Sequence, residues 1–167
     1  PYSLKNDNSK MQLSKAFMNI CNLYNIGTET TQPHYPHQNQ AERRIGTVKS
    51  VSNRILDRTG APDTLWLRCV VYVCMLLNVM ASRQLDWRTP IERDMGITPD
   101  IFLFLQFHFY EPVYYLDSAD KSYPATKEKY GWWCGPTENC GDAMTYWILT
   151  SDTNELIARS IIKVLCQ

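Results

Sequence analysis

The spacing of apolar residues changes period near Asp100, and that change limits what the chain can build. Before it, Leu13, Phe17, Ile20 and Cys21 recur at three- and four-residue steps, as do Ile45, Val48, Val51, Ile55 and Leu56. That is the helical period. After it, short aromatic and β-branched runs alternate with turn residues, which is the pattern of strands. A chain of 167 residues in this order reads as helices of an α/β layer followed by a small antiparallel β unit. The expected division is 1–99 and 100–167.

The elements follow from local chemistry. Residues 1–6 read as an extended lead-in ending at Asp7. Ser9 is the expected cap of a helix to about Tyr24, stopped by Asn25-Ile26-Gly27 with Gly27 in the left-handed position. The β-branched Thr28–Thr31 predicts one brief strand. Pro33 and Pro36 hold a loop open, because each biases its predecessor away from helix. A helix then runs from about Gln40 to Arg58 and breaks at Thr59-Gly60-Ala61-Pro62. An apolar helix from Leu65 to about Met80 is expected to be buried on most sides. Thr89-Pro90 opens a short helix with Pro at its first position. Strands are predicted at 107–116, 131–134, 143–150 and 156–164, with turns at Gly141-Asp142 and Ser151–Asn154.

Charge narrows the functional classes. The formal net charge is zero, which disfavours a nucleic-acid binder held by charge alone. The charge is unevenly spread, however. Residues 38–68 carry six basic groups against three acids, and residues 100–167 carry five against nine. A polyanion should meet the first block. The six cysteines have no Cys-x-x-Cys spacing and no histidine pair beside them, so they read as reduced, mostly buried thiols of an intracellular protein. No signal peptide is visible, and the longest apolar run, 69–77, is too short to span a membrane. The chain starts at Pro1 and enters an element at once, as a piece of a longer polypeptide would.

The chemistry gathers around two carboxylates. Asp7 stands in Lys5-Asn6-Asp7-Asn8-Ser9, and Glu42 lies in the first turn of a predicted helix thirty-five positions later. Two acids brought together from separate elements suit a Mg²⁺ ion that keeps room for phosphate; apart, they are solvated surface acids. Gln38, Asn39 and Gln40 offer neutral donors and acceptors for bases or sugar. At 100° per residue Lys49 shares the Glu42 face, where it can hold a phosphate. Arg43 and Arg44 either track a nucleic-acid backbone or solubilise the helix.

The block Asp7-Asn8, a helix, Gly27, then Pro33-His34-Tyr35-Pro36-His37-Gln38-Asn39-Gln40-Ala41-Glu42-Arg43 resembles the second half of a copia-type retrotransposon integrase core. Such cores belong to the DDE transposase and retroviral integrase superfamily. Leu65-Trp66, Tyr72-Val73-Cys74, Leu76-Leu77-Asn78 and Arg88-Thr89-Pro90-Ile91-Glu92 fit the same resemblance. Gly131-Trp132 and Ala143-Met144-Thr145-Tyr146 resemble the SH3-like segment that follows such cores. The implied fold is the later half of an RNase H-like core, mostly helices with one short strand, followed by an SH3-like β unit. The resemblance makes Asp7 and Glu42 the second and third catalytic acids, both ligands of Mg²⁺ or Mn²⁺. It makes Lys49 a contact to element-end DNA, and with it Gln38, Asn39, Gln40 and Arg43, read above from their own chemistry, form the expected DNA-binding set. The implied reaction is trimming of a DNA 3′ end, then attack of that 3′-OH on a target phosphodiester. The implied partners are element ends and target DNA and further copies of the chain, with no membrane. The implied place is the nucleus, after a cytoplasmic particle stage.

Departures from the family are visible. The first catalytic Asp is expected on a strand before Pro1. Gln40-Ala41 replaces the glycine usual before the Glu, and the loop is about one residue short. The acidic tail suits a packing or assembly module better than a DNA grip. Two other readings follow: a non-catalytic nucleic-acid-binding or assembly module, and a degenerate relic of a transposable element. His34, His37 and Cys21 lack metal-ligand spacing, and His108 is expected to be structural, within a strand. Trp132 and Trp133 are expected to pack a barrel rather than stack bases.

Overall fold

The structure, a computed structural model, describes residues 3–6, 10, 14–30, 40–117, 127–138 and 144–164. It mixes helix and sheet, and its internal contacts divide it into two compact units, Pro1–Lys49 and Ser50–Gln167. This division falls inside a helix.

The first unit opens on a β–α–β arrangement. The extended lead-in is itself a strand, β1 (Ser3–Asn6), and it pairs in parallel with β2 (Gly27–Thr30), from Ser3↔Gly27 to Asn6↔Thr30. Parallel strands need a crossover, and α1 (Lys15–Leu23) lies between the two in the chain. Among the described residues this half therefore holds two strands, where the sequence pattern assigned one. The cap of α1 is Ser14, not Ser9: its hydroxyl oxygen accepts the Phe17 N–H at 3.3 Å. Ser9 lies outside the described residues. The helix ends in a Schellman motif, with Ile26 N–H on Cys21 O at 2.8 Å and Asn25 N–H on Asn22 O at 3.2 Å. Asn25, at φ 52°, takes the left-handed position expected for Gly27. Asparagine tolerates that conformation, and Gly27 is left free to pair with Ser3.

Helix α2 (Gln40–Thr59) has Glu42 in its first turn and Arg58 in its last, both favourable against the helix dipole. A 3₁₀ turn at Asp63–Leu65 leads into α3 (Trp66–Val79). This helix is not buried on most sides. Cys69, Tyr72 and Val73 are buried, while Trp66, Leu67 and Cys74 lie exposed. The sheet of the second unit covers a single face of the helix, and Arg68 is placed with its guanidinium 4.5 Å from the centre of the Trp147 ring. Next come α4 (Pro90–Met95), capped by Thr89 with Pro90 at its start, and the short α5 (Phe102–Leu105).

The remaining strands are β3 (Pro112–Leu116), β4 (Glu128–Pro136), β5 (Tyr146–Thr150), β6 (Leu156–Arg159) and β7 (Ile162–Val164). They form one antiparallel sheet in the order β6-β5-β4-β3-β7. Four strands meander, and the fifth returns to pair with the first. The strand expected from Phe107 begins at Pro112 instead. Tyr110 stands at φ 63°, and the turn before β3 is closed by Glu111 N–H on His108 O at 3.0 Å. His108 is consequently an exposed turn residue, and its N–H donates to Glu111 Oε2 at 2.7 Å.

Aromatic rings join α3 to the sheet across the 99/100 point. Tyr72 meets Phe109 at 5.5 Å and stands edge-on to Trp133 at 5.6 Å. Phe107 meets Trp133 at 5.9 Å and Tyr146 at 5.8 Å. Such pairs each contribute about 0.5–1.5 kcal/mol beyond the area they bury. Trp133 is fully buried, as packing requires, whereas Trp132 lies on the other face, stacked on Tyr110 at 5.4 Å. Of the described cysteines, Cys21, Cys69 and Cys134 are buried free thiols and Cys74 is exposed. Burial pushes the Cys134 thiol up to about 12 and raises Cys69 as well, so both stay protonated at neutral pH.

Gly131 marks the tightest approach in the sheet. A Cβ there would meet Leu149 O at 2.5 Å and Ile148 Cγ2 at 2.7 Å. Gly131→Ala should destabilise the protein by about 1–3 kcal/mol. Gly46→Ala, with nothing within 4 Å of the added carbon, should stabilise it by about 1 kcal/mol. Urea unfolding midpoints test both signs.

A charged clasp ties the strand ends. Lys129 Nζ lies 2.9 Å from Asp117 Oδ2 and 3.1 Å from Asp152 Oδ2. The Lys129 hydrogen bond holds the Asp152 carboxyl below the usual carboxylate range. A carboxylate depressed on folding stabilises above its unfolded value, about 3.9, and the stabilisation is lost as pH falls through the folded value. Lys129→Met should flatten the fall of the urea midpoint between roughly pH 5 and pH 2. Identical pH profiles for the two proteins would contradict this role.

Candidate functional site

Of the candidate residues, Gln40, Glu42, Arg43 and Lys49 lie along α2. Gln40 is the first residue of the helix, Glu42 and Arg43 follow in its first turn, and all are exposed. The helix N-terminus favours a carboxylate through its unsatisfied N–H groups and dipole. Lys49 is seven residues beyond Glu42 and exposed. Seven residues bring the helix back to within about 20° of the same face, at a rise of about 10.5 Å. One solvent-facing stripe therefore carries an acid and a base two turns apart. Thr47, whose hydroxyl donates to Arg43 O at 3.0 Å, braces the turn between them.

On the strand side, Asn6 is buried at the carboxyl end of β1. In open parallel sheets that end is where ligands gather. Asp7, Gln38 and Asn39 lie outside the described residues, so the structure places Gln40, Glu42, Arg43 and Lys49 and leaves the Asp7–Glu42 separation open. Carboxylate oxygens are the donors that Mg²⁺ and Mn²⁺ take, so Asp7 and Glu42 suit such an ion by chemistry. Among the described residues no group of three or more His, Cys, Asp or Glu stands together to hold a metal. No helix among them is long and apolar enough to cross a membrane.

The sequence reading missed an apolar groove of about 560 Å³ in the second unit. Leu76, Val79, Thr98, Pro99, Phe104 and Leu105 are among its walls. The segments lie some twenty residues apart in the chain, so no local pattern announced it.

No protein-family description matches the chain. No curated protein matches it either. Among solved structures, it is similar to a chain in the cryoEM structure of the simian T-cell lymphotropic virus intasome in complex with PP2A regulatory subunit B56 gamma. The sequence identity is 16% and the TM-score 0.43, over 99% of this chain and 59% of that one. This chain thus spans less than two thirds of its neighbour's length, and a likeness at that level carries no argument about activity.

Proposed function

We propose that the chain is part of a copia-type integrase, with an RNase H-like segment followed by an SH3-like unit, and that its parent joins DNA ends to target DNA. The observation that carries this reading is the stripe on α2, with Glu42 exposed in the first turn and Lys49 two turns on. Two features support it. The strand β1 ends one residue before Asp7, within a parallel β–α–β arrangement. The order β6-β5-β4-β3-β7, in which the last strand returns to the first, is the order of SH3-like barrels.

In this reading Asp7 and Glu42 hold Mg²⁺ or Mn²⁺ together with an acid from a preceding segment. When bound there, such an ion would supply activation of an attacking 3′ oxygen and charge stabilisation of the leaving one, with Asp7 and Glu42 as the residues of this chain that would hold it. Gln38, Asn39 and Gln40 contact base edges and sugars, and Arg43 follows the phosphate backbone. Lys49 neutralises a phosphate near the acids. The acidic 100–167 region packs and assembles the enzyme without gripping DNA. The parent acts in the nucleus on chromosomal DNA.

In the parent protein, Glu42→Gln should lower Mn²⁺-dependent strand transfer by on the order of 10²-fold or more, with DNA binding retained. Unchanged transfer would refute the metal role. Lys49→Ala should weaken binding to DNA ends and reduce the slope of log affinity against log salt by about 1. An unaltered slope would return Lys49 to the solvated surface.

A further inference from the structure

The residues of β3 and β4 that point away from the core form a row of aromatic rings. Val113, Tyr115 and Trp133 are buried, so strand alternation puts Tyr114, Tyr130 and Trp132 on the opposite face. Tyr114 lies directly across from Tyr130 in the register of the two strands. Tyr110, just before β3, extends the row. Ring centres step by 6.1 Å from Tyr114 to Tyr130, by 5.3 Å from Tyr130 to Trp132 and by 5.4 Å from Trp132 to Tyr110. Tyr114 is 41% exposed and the other three are half-buried, so solvent reaches the row.

The rings and the charges around them select a cation. An aromatic face carries the negative end of a quadrupole, and a guanidinium is attracted to it within about 6 Å of the ring centre. Steps of 5.3–6.1 Å therefore let one guanidinium reach two neighbouring rings. The surrounding charge has the matching sign, because residues 100–167 hold nine acids against five bases. The bases of β4 and β7 already face carboxylates: Lys163 lies 2.6 Å from Glu128, and Lys129 lies 2.9 Å from Asp117. A carboxylate stands toward each end of the row. Glu128 is two residues before Tyr130 on the same strand. Glu111 follows Tyr110, accepts the His108 N–H at 2.7 Å and lies 3.4 Å from the His108 ring nitrogen. Nucleobases also stack on such rings, but the phosphates joining them would meet this acidic surrounding. The chain makes the same kind of contact internally, with the Arg68 guanidinium 4.5 Å from the centre of the Trp147 ring.

We propose that the outer face of β3 and β4 binds an arginine-bearing peptide segment of a partner protein, with its guanidinium groups laid along Tyr114, Tyr130, Trp132 and Tyr110. Arginine suits the row better than lysine, because its planar and weakly hydrated head lies flat on a ring. The surface belongs wholly to the Ser50–Gln167 unit. It stands independently of the DNA-joining reading, because it uses neither Asp7, Glu42 nor Lys49.

Calorimetric titration of the 167-residue chain with three peptides tests it. One alternates Gly and Arg, one has Lys in place of Arg, and one has citrulline, the uncharged isostere of Arg. The Arg peptide should bind with a Kd on the order of 10–100 µM. It should bind at least about threefold tighter than the Lys peptide, and the citrulline peptide should not bind. Tyr114→Leu, which keeps apolar bulk at the most exposed ring, should weaken the Arg peptide about two- to fivefold and narrow its advantage over Lys. Trp132→Leu should weaken it further. Trp87→Leu, at a 71% exposed ring outside the row, should change nothing. Thermal unfolding of Tyr114→Leu should match the wild type. No binding of the Arg peptide at about 1 mM, equal affinity for Arg and Lys peptides, or full affinity in Tyr114→Leu would each overturn the proposal. So would tighter binding of a neutral proline-rich peptide or of a short oligothymidine, which would assign the row to that class of partner.

Discussion

The edge-on contact of Tyr72 against Trp133 is the point on which the larger unit depends. It brings a helix from one side of the period change onto a strand from the other. Gly135 faces the same Tyr72 ring, where an added Cβ would make an ordinary contact of 3.4 Å with Cδ2, so its φ of 107° rather than lack of space is what favours glycine there. Around this pair the chain adds Phe109, Phe107 and Tyr146, and the Tyr146 hydroxyl donates to Gln106 Oε1 at 2.6 Å. Rings of this size bury much area with few rotamers to fix. A short helical segment and a five-stranded sheet can therefore share one core without many residues.

The sequence made the elements legible and their burial less so. The extent of α2 follows from helical period, the start of α4 from Pro90 and the end of β5 at Thr150 from the turn residues after it, while β5 begins at Tyr146 and not at 143. The exposure of Trp66 and Leu67 does not follow, because an apolar helix reads alike whether one side or every side is covered. His108 shows the converse error. Aromatic residues on both sides of it imitate strand alternation, yet Tyr110 turns the backbone with a positive φ that no propensity announces. Ser14 and Asn25 replaced Ser9 and Gly27 because a cap is chosen by which hydroxyl or left-handed residue reaches the helix end.

The candidate site divides in the same way. Glu42 and Lys49 lie on one helix, so a 3.6-residue period suffices to place them relative to each other. Asp7 and Glu42 come from different elements, and no local pattern gives the distance between them. The sequence names the pair by resemblance, and the structure supplies the scaffold on either side, a parallel strand ending at Asn6 and a helix beginning at Gln40. Metal chemistry at phosphodiesters needs little more of a protein than oxygen ligands held rigidly with a phosphate-neutralising base nearby. That economy lets a largely neutral chain be read as part of a DNA-joining enzyme.

The central claim is that Asp7 and Glu42 share one ion. The most direct measurement is Fe²⁺-directed hydroxyl-radical cleavage of the parent protein, in which a bound iron cuts the backbone beside its own ligands. The account predicts cleavage near residue 7 and near residue 42 in the same preparation, with both cuts suppressed by excess Mg²⁺ and both lost in Glu42→Gln. Cleavage at one of these places without the other, or at neither, would contradict it.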